Sequence, residues 1–236
     1  GGTTQDITNA INAGAFILQH RDHGYEQGWG EPDFSNSDIN TLTNTGKMLF
    51  LFTINCLTGK FNNSTPCFGE AFQRYTYNGE NAGAVGFIAP TEVSYSFVND
   101  TYAWGMIDLC EPDFLPDYGP YAENSGNWMP AFGNVAGKYF LAQSSWPSYQ
   151  DGKAITYQMF TAHCDAFLRL FSEVPQNIAA SYSSEIMPTV TPFAITCTEG
   201  ALIALTRDGE IIAVADATGE EQSIEIPGVI PGDVLH

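Results

Sequence analysis

Hydrophobic positions along this chain come first as short continuous runs and later as alternation. Ala15-Phe16-Ile17-Leu18-Gln19-His20 follows Gly14 and reads as a short buried strand. It runs into Arg21-Asp22-His23-Gly24 and then a polar, Gly-rich loop through Trp29-Gly30-Glu31-Pro32. Ser37 predicts the N-cap of a short helix from Asp38 to about Leu42. The run Met48-Leu49-Phe50-Leu51-Phe52-Thr53-Ile54 fits a strand buried on both faces, and it ends at Asn55-Cys56. Pro66 precedes an amphipathic helix over Cys67 to Tyr75, closed near Asn78-Gly79. Ala84-Val85-Gly86-Phe87-Ile88-Ala89 predicts a third buried strand, stopped by Pro90. Further helices are expected over about Asp100 to Leu109, Asn134 to Gln143 and Ala154 to Phe160. Strands alternating with helices define an α/β domain with a mostly parallel sheet.

Past Val174-Pro175-Gln176 the texture changes. Ile186 to Thr198 alternates, Ala201 to Thr206 is apolar, and Arg207-Asp208-Gly209 reads as a hairpin turn into Ile211-Ile212-Ala213-Val214. Ser223-Ile224-Glu225-Ile226 alternates again. The division is therefore an α/β domain over residues 1–175 and a small β-sandwich over residues 176–236. The second part shows fewer strands than the roughly seven of an immunoglobulin-type sandwich.

Two of the apolar strands stop at a reactive residue. One gives His23-Gly24 and the other Cys56, with Gly59 shortly after. Ligands bind at the carboxyl ends of parallel strands, so neighbouring strands would lift both residues into one crevice. A thiolate is the nucleophile of a cysteine enzyme, and an adjacent imidazole both lowers the thiol pKa and protonates the leaving amine. The amides of Gly24 and Cys56 would then form an oxyanion hole. Taken singly, Cys56 reads first as an inert buried thiol and His23 as a hydrogen-bonded loop histidine; their matched placement after two strands is what brings the catalytic reading level with these. His20 lies inside the strand with its side chain directed away from that of His23, and it reads as structural.

Composition narrows the partners. Asp and Glu number 27 against 8 Lys and Arg, for a net charge of −19. Such a surface repels phosphate backbones, which excludes nucleic acid as a natural partner. Five cysteines at irregular spacing make no disulfide scaffold and no CxxC metal motif. No apolar run is long enough to span a bilayer. Few Lys and many Asn, Ser, Thr, Tyr and Gly point to a secreted or cell-surface protein.

The segment Asp22-His23-Gly24-Tyr25-Glu26-Gln27-Gly28-Trp29-Gly30 resembles the His-Gly-Ser-Glu-Thr-x-Trp-Gly motif of the gingipain-type peptidases, the C25 family of the caspase-like clan. Leu42-Thr43-Asn44, the block Phe52 to Phe61 around Cys56, and Pro66-Cys67-Phe68-Gly69-Glu70-Ala71 follow the same family in order and spacing. Ala84 to Ala89 matches its next strand. Phe160 to Leu170 is similar to its closing segment, with Asp165 kept, but His163 and Cys164 replace the usual Phe-Gly and Ala166 the usual Pro. Gly200 to Gly219 is similar to the immunoglobulin-like domain that follows the catalytic domain in this family.

That resemblance implies a caspase-like fold and a cysteine endopeptidase with Cys56 as nucleophile and His23 as general base and acid. Cys67, on the following helix, is then a core residue. The family cuts after basic residues, using an acid in the S1 pocket. Here Ser94-Tyr95-Ser96-Phe97-Val98-Asn99-Asp100 corresponds, and Asp100 is the expected acid by a one-residue offset, without which neutral Asn99 takes its place, with Glu92 in reach. Asp100 is equally placed to cap the helix that follows. Trp29, Tyr95 and Phe97 are the expected pocket walls. The chemistry requires no cofactor. A structural calcium is an expectation at the acid-rich loops Glu31-Pro32-Asp33 and Glu111-Pro112-Asp113, which match no EF-hand pattern. A caspase-like sheet has two strands before the one ending in His23, and the acid that orients the His lies upstream too. An upstream segment of the same precursor is therefore an expected partner. The rival reading is a catalytically inactive, peptidase-like adhesin.

Overall fold

The computed structural model describes residues 2–111, 114, 128–171, 176–187 and 192–236. Contacts divide the chain into two compact units, Gly1–Glu173 and Val174–His236.

The first unit opens with α1 (Thr4–Ala13), an element the apolar pattern did not announce because its buried stripe is only Thr8 and Ile11. Its local signal is a capping box. The Thr3 side chain accepts from the Asp6 amide while the Asp6 carboxylate accepts from the Thr3 amide, and Gly14 ends the helix in the left-handed region at φ 106°. Then come β1 (Ile17–Arg21), β2 (Gly24–Tyr25), β3 (Gly28–Trp29), β4 (Phe34–Ser35), α2 (Asn36–Ile39) and β5 (Leu49–Ile54). Next follow α3 (Phe68–Arg74), β6 (Thr76–Tyr77), β7 (Glu80–Asn81) and β8 (Ala84–Pro90). α4 (Val98–Cys110), α5 (Pro130–Gln143), α6 (Gln150–Met159) and β9 (Phe160–His163) complete the unit.

The central sheet has the order β1-β5-β8-β9. β1, β5 and β8 run parallel, and β9 is antiparallel at one edge. Every residue of β5 is buried, as its continuous apolar run predicts. Its two faces feed different cores. Leu49 and Leu51 pack with Trp29, Phe34, Phe68 and Phe72, while Phe50, Phe52 and Ile54 pack with Val98, Tyr102, Met106 and Phe160. The result is an α/β fold with a mainly parallel sheet between helical layers, plus small antiparallel sheets.

Three local expectations change. The short helix is capped by Ser35, not Ser37, because the Asp38 carboxylate accepts from the Ser35 amide and hydroxyl. Asn78 and Gly79 do not cap α3; both have positive φ (53° and 83°) and turn the β6–β7 hairpin. The expected helix over Ala154 to Phe160 starts earlier and stops at Met159, and Phe160 begins β9 against Pro90.

The second unit is all β. β10 (Ala180–Tyr182), β11 (Phe193–Cys197) and β14 (Glu221–Ile224) form one antiparallel sheet, and β12 (Leu202–Arg207) pairs with β13 (Glu210–Asp216). Alternation along β11 buries Phe193, Ile195 and Cys197 with Ile203, Leu205 and Ile224. Asp208 and Gly209, at φ 52° and 84°, make the predicted hairpin turn.

Candidate active site

β1 and β5 are parallel neighbours, and their ladder closes on Arg21 opposite Ile54. Both chains therefore leave the sheet at the same carboxyl edge, one as Asp22-His23 and the other as Asn55-Cys56. Gly24 shows how close they come. A Cβ there would lie 2.7 Å from the Asn55 Cγ and 2.7 Å from the Cys56 carbonyl oxygen. Only glycine allows that approach, so the loop bearing His23 rests directly on the turn bearing Cys56. The His23 side chain is exposed and Cys56 is half-buried.

The turn bearing Cys56 is pinned from below. The Leu57 amide donates to the Glu92 carbonyl at 3.3 Å, Gly59 to Pro90 at 2.9 Å, and Gly69 to Thr58 at 3.0 Å. Leu57 itself sits at φ 64°, a left-handed conformation that costs a β-carbon residue roughly 1–2 kcal/mol. That turn lifts Cys56 off the strand. Its Sγ accepts from the Ser94 amide at 3.4 Å, and the Cys56 amide donates no hydrogen bond among the described residues. Burial pushes the Cys67 thiol up to about 11 and the Cys110 thiol up to about 12, and it raises Cys164 as well. All five cysteines are free.

Under the turn lies a buried polar chain. The Thr53 and Thr58 hydroxyls meet at 2.7 Å, Thr58 donates to the Asn55 Oδ1 at 2.7 Å, and the Asn55 Nδ2 meets His20 Nδ1 at 3.1 Å. The His20 ring stacks on Trp29, 4.2 Å between centroids and 8° from parallel. Burial lowers the His20 pKa, against the raising effects of the Gly30 backbone and the Asp22 charge.

The expected substrate residues are distributed differently. Trp29 is 1% exposed, packed between His20 and Phe68; it is core, not a pocket wall. Asp100, expected to be open to a basic side chain, is already committed. Its two oxygens accept from Arg21 Nε and an Arg21 terminal nitrogen at 2.7 Å each, and it caps α4 by accepting from the Phe97 amide at 3.2 Å. Glu92 is paired with Lys60 at 3.2 Å. Phe97 and Tyr95 do lie beside the site, on the loop whose Ser94 holds Cys56. Phe97 is exposed, strained at φ 68°, and edge-on to Trp146 at 6.4 Å, while Tyr95 meets Tyr149 edge-on at 5.5 Å. Arg21, Trp146 and Tyr149 were not picked out in sequence. Nothing local marks the aromatic pair; the α5–α6 connection brings it from far along the chain. Glu31 and Asp33 join no group of three metal-ligating side chains among the described residues, and Pro112 and Asp113 lie outside those residues. No helix among the described residues is long and apolar enough to cross a membrane.

A thiol and an imidazole carried at the carboxyl edge of adjacent parallel strands are the groups that a cysteine–histidine hydrolase requires. The profile described as Peptidase family C25 matches residues 1–170, and the chain belongs to that family of cysteine peptidases. Gingipain R2 of Porphyromonas gingivalis is 27% identical over 217 residues, 91% of this chain and 28% of the relative. Gingipain R1 of the same organism is 26% identical over 231 residues, 97% of this chain and 22% of that protein. Lys-gingipain W83 is 26% identical over 235 residues, covering 89% of this chain and 12% of the relative. Among solved structures, the Arg specific cysteine proteinase gingipain R superposes with a TM-score of 0.77 at 24% identity, over 96% of this chain and 50% of that one. A complex of gingipain pro- and mature domains from P. gingivalis gives 0.74 at 23%, over 96% of this chain and 51% of that one. The chain thus spans 28% or less of these relatives and about half of the solved chains.

Proposed function

We propose that this chain carries the nucleophile and general base of a cysteine endopeptidase that works through a Cys56 thioacyl-enzyme. The observation that carries it is the seating of Gly24 against Asn55-Cys56, which puts His23 and Cys56 on one rim. In this reading His23 takes the thiol proton and the Cys56 sulfur attacks the scissile carbonyl. The oxyanion meets the Gly24 and Cys56 amides, and His23 returns the proton to the departing amine. Water, deprotonated by His23, then releases the acyl group. Asp22 does not orient the His23 ring; its carboxylate accepts from the His23 backbone amide at 2.8 Å. The orienting acid and the strands beyond β1 are assigned to an upstream segment of the same precursor. The named relatives' printed names, Arg specific and Lys-gingipain, and the charge of −19 support a Lys or Arg at P1. The paired Asp100 and Glu92 make neither the favoured P1 partner, and the edge-on pairs Phe97–Trp146 and Tyr95–Tyr149 are the proposed walls for the aliphatic stem. Secretion or surface display follows from the same composition, no cofactor enters the chemistry, and calcium would be structural only.

The test is covalent labelling. An acyloxymethyl ketone with Arg at P1 should label Cys56 rapidly and selectively by mass spectrometry, and His23→Ala should abolish that labelling. A rate equal to that of a free thiol would overturn the peptidase reading and leave the inactive binding protein.

A further inference from the structure

The buried chain under Cys56 has a direction. Thr58 donates its one proton to Asn55 Oδ1, so Thr53 is the donor in the Thr53–Thr58 contact. The same bond turns the Asn55 amide nitrogen toward His20. An amide nitrogen only donates, so His20 Nδ1 accepts and bears no proton. The order is Thr53 to Thr58 to Asn55 to His20, spanning β5, the nucleophile turn and β1. The chain ends on a ring held flat on Trp29.

Asn55 is also the residue on which Gly24 sits, 2.7 Å from the Cγ by a Cβ built there. Its amide plane therefore sets the gap between the loop of His23 and the turn of Cys56. We propose that Asn55 and His20 are positioning residues for the reaction at Cys56: neutral His20 holds the Asn55 side chain as its acceptor, and Asn55 fixes the spacing of Gly24 and Cys56. This rests on the peptidase reading above. It assigns His20 a role beyond the structural one read from its place in the strand. Around the ring, Thr53 from β5, Asn55 from the turn after it and Trp29 from β3 are uncharged, and Asp22 is the charge that acts on it. A proton on Nδ1 would set one donor against another, so acid should disturb the turn independently of His23.

Asn55→Ala, His20→Phe and His20→Gln are compared in the full natural protein. His20→Phe keeps the stack and removes the acceptor. His20→Gln keeps an acceptor that does not titrate. Asn55→Ala and His20→Phe should each lower kcat about 100-fold with KM nearly unchanged, the scale of a ~1 Å misplacement. His20→Gln should recover most of the loss and flatten the acid limb of kcat/KM. Values of kcat within about twofold of the unmodified enzyme for both Asn55→Ala and His20→Phe would overturn the proposal. So would a His20→Gln variant as slow as His20→Phe, or one with an unchanged acid limb. Nitrogen-15 spectra of the unmodified protein read the same chain without any variant folding: a bare Nδ1 at neutral pH is expected, and a protonated one overturns the direction. If the unmodified enzyme shows no turnover, the peptidase reading fails, while the spectra still report on the His20–Asn55 bond.

Discussion

Two places in this molecule set a cysteine near a histidine along the backbone, and they do so by different means. Cys164 follows His163 in sequence, at the end of β9; Cys56 and His23 come from different strands. His163 stacks on Phe87 at 4.5 Å, lies edge-on to Phe61, and its Nε2 meets the Thr161 hydroxyl at 3.2 Å. Cys164 closes over Gly86, where a Cβ would lie 2.6 Å from its own. Burial lowers the His163 pKa and raises the Cys164 pKa, so both shifts oppose a thiolate–imidazolium pair. Because β9 is antiparallel, His163 faces Phe87 inside the sheet, and Phe160 is the residue beside Pro90 at the site edge. Adjacency in sequence sends two side chains to opposite faces of a strand; adjacency of parallel strands sends two chain ends into one crevice.

The sharpest way to break this contrast is at the thiols. Cys56→Ala should remove hydrolysis of a P1-Arg peptide by about 10⁴-fold or more, the scale of losing a covalent nucleophile, whereas Cys164→Ala should leave kcat within about twofold. Comparable losses would erase the distinction. At the imidazoles, His23→Ala should slow iodoacetamide alkylation of Cys56 and lower kcat by roughly 10²–10⁴-fold, and His163→Ala should do neither.

The two glycines give the next comparison. Gly24→Ala forces a Cβ onto Asn55 and Cys56, and Gly86→Ala forces one onto Cys164 and Phe50. Both should lower the thermal midpoint, by about 1–3 kcal/mol of overpacking, but only Gly24→Ala should also cut kcat. Acidification sharpens the same point. Burial holds the His163 and His20 pKa values below their ordinary 6.5, so the unfolded chain takes up protons first. Their neutral rings stabilise the fold above that value, and the contribution is lost as pH falls through it. The midpoint should fall between pH ~7.5 and ~5.5, and His163→Gln should flatten part of that slope.

The smallest effect is expected at Arg21. Its guanidinium is half exposed, and Asp100 raises its pKa. Arg21→Ala should cost at most about 1 kcal/mol by denaturant titration. It would, however, free Asp100 beside the site. A gain in affinity for P1-Arg peptides would show that carboxylate available to substrate once unpaired.

Much of this was legible along the chain. Continuous apolar runs announced β5 and β8, since strands buried on both faces need no polar side. The run over β1 announced a strand too, but not the expected burial: of Ile17–Arg21 only His20 is buried, because β1 is the edge strand of the sheet in this chain. Asp208-Gly209 announced a hairpin because both residues tolerate positive φ. α1 stayed hidden because its buried stripe is too thin, and β9 because Phe160 follows the amphipathic helix Gln150–Met159 with no Gly or Pro to mark the break. At the candidate site, the motifs around His23 and Cys56 pointed to two residues that the fold carries at one edge of the sheet. The partner of Asp100 could not be named. Arg21 and Asp100 are 79 positions apart, and only the packing of β1's end against α4 brings them together.

What the sequence determined by itself is the order of elements, the two textures of the chain, and the identity of a thiol and an imidazole at strand ends. Each of those follows from local periodicity or a short motif. The tertiary structure alone decided that β1 and β5 are neighbours, that Trp29 is core, that Asp100 is spoken for, and that His20 reaches Asn55. Those facts depend on which strands pair and in what register, and register is settled by long-range burial that no local segment contains.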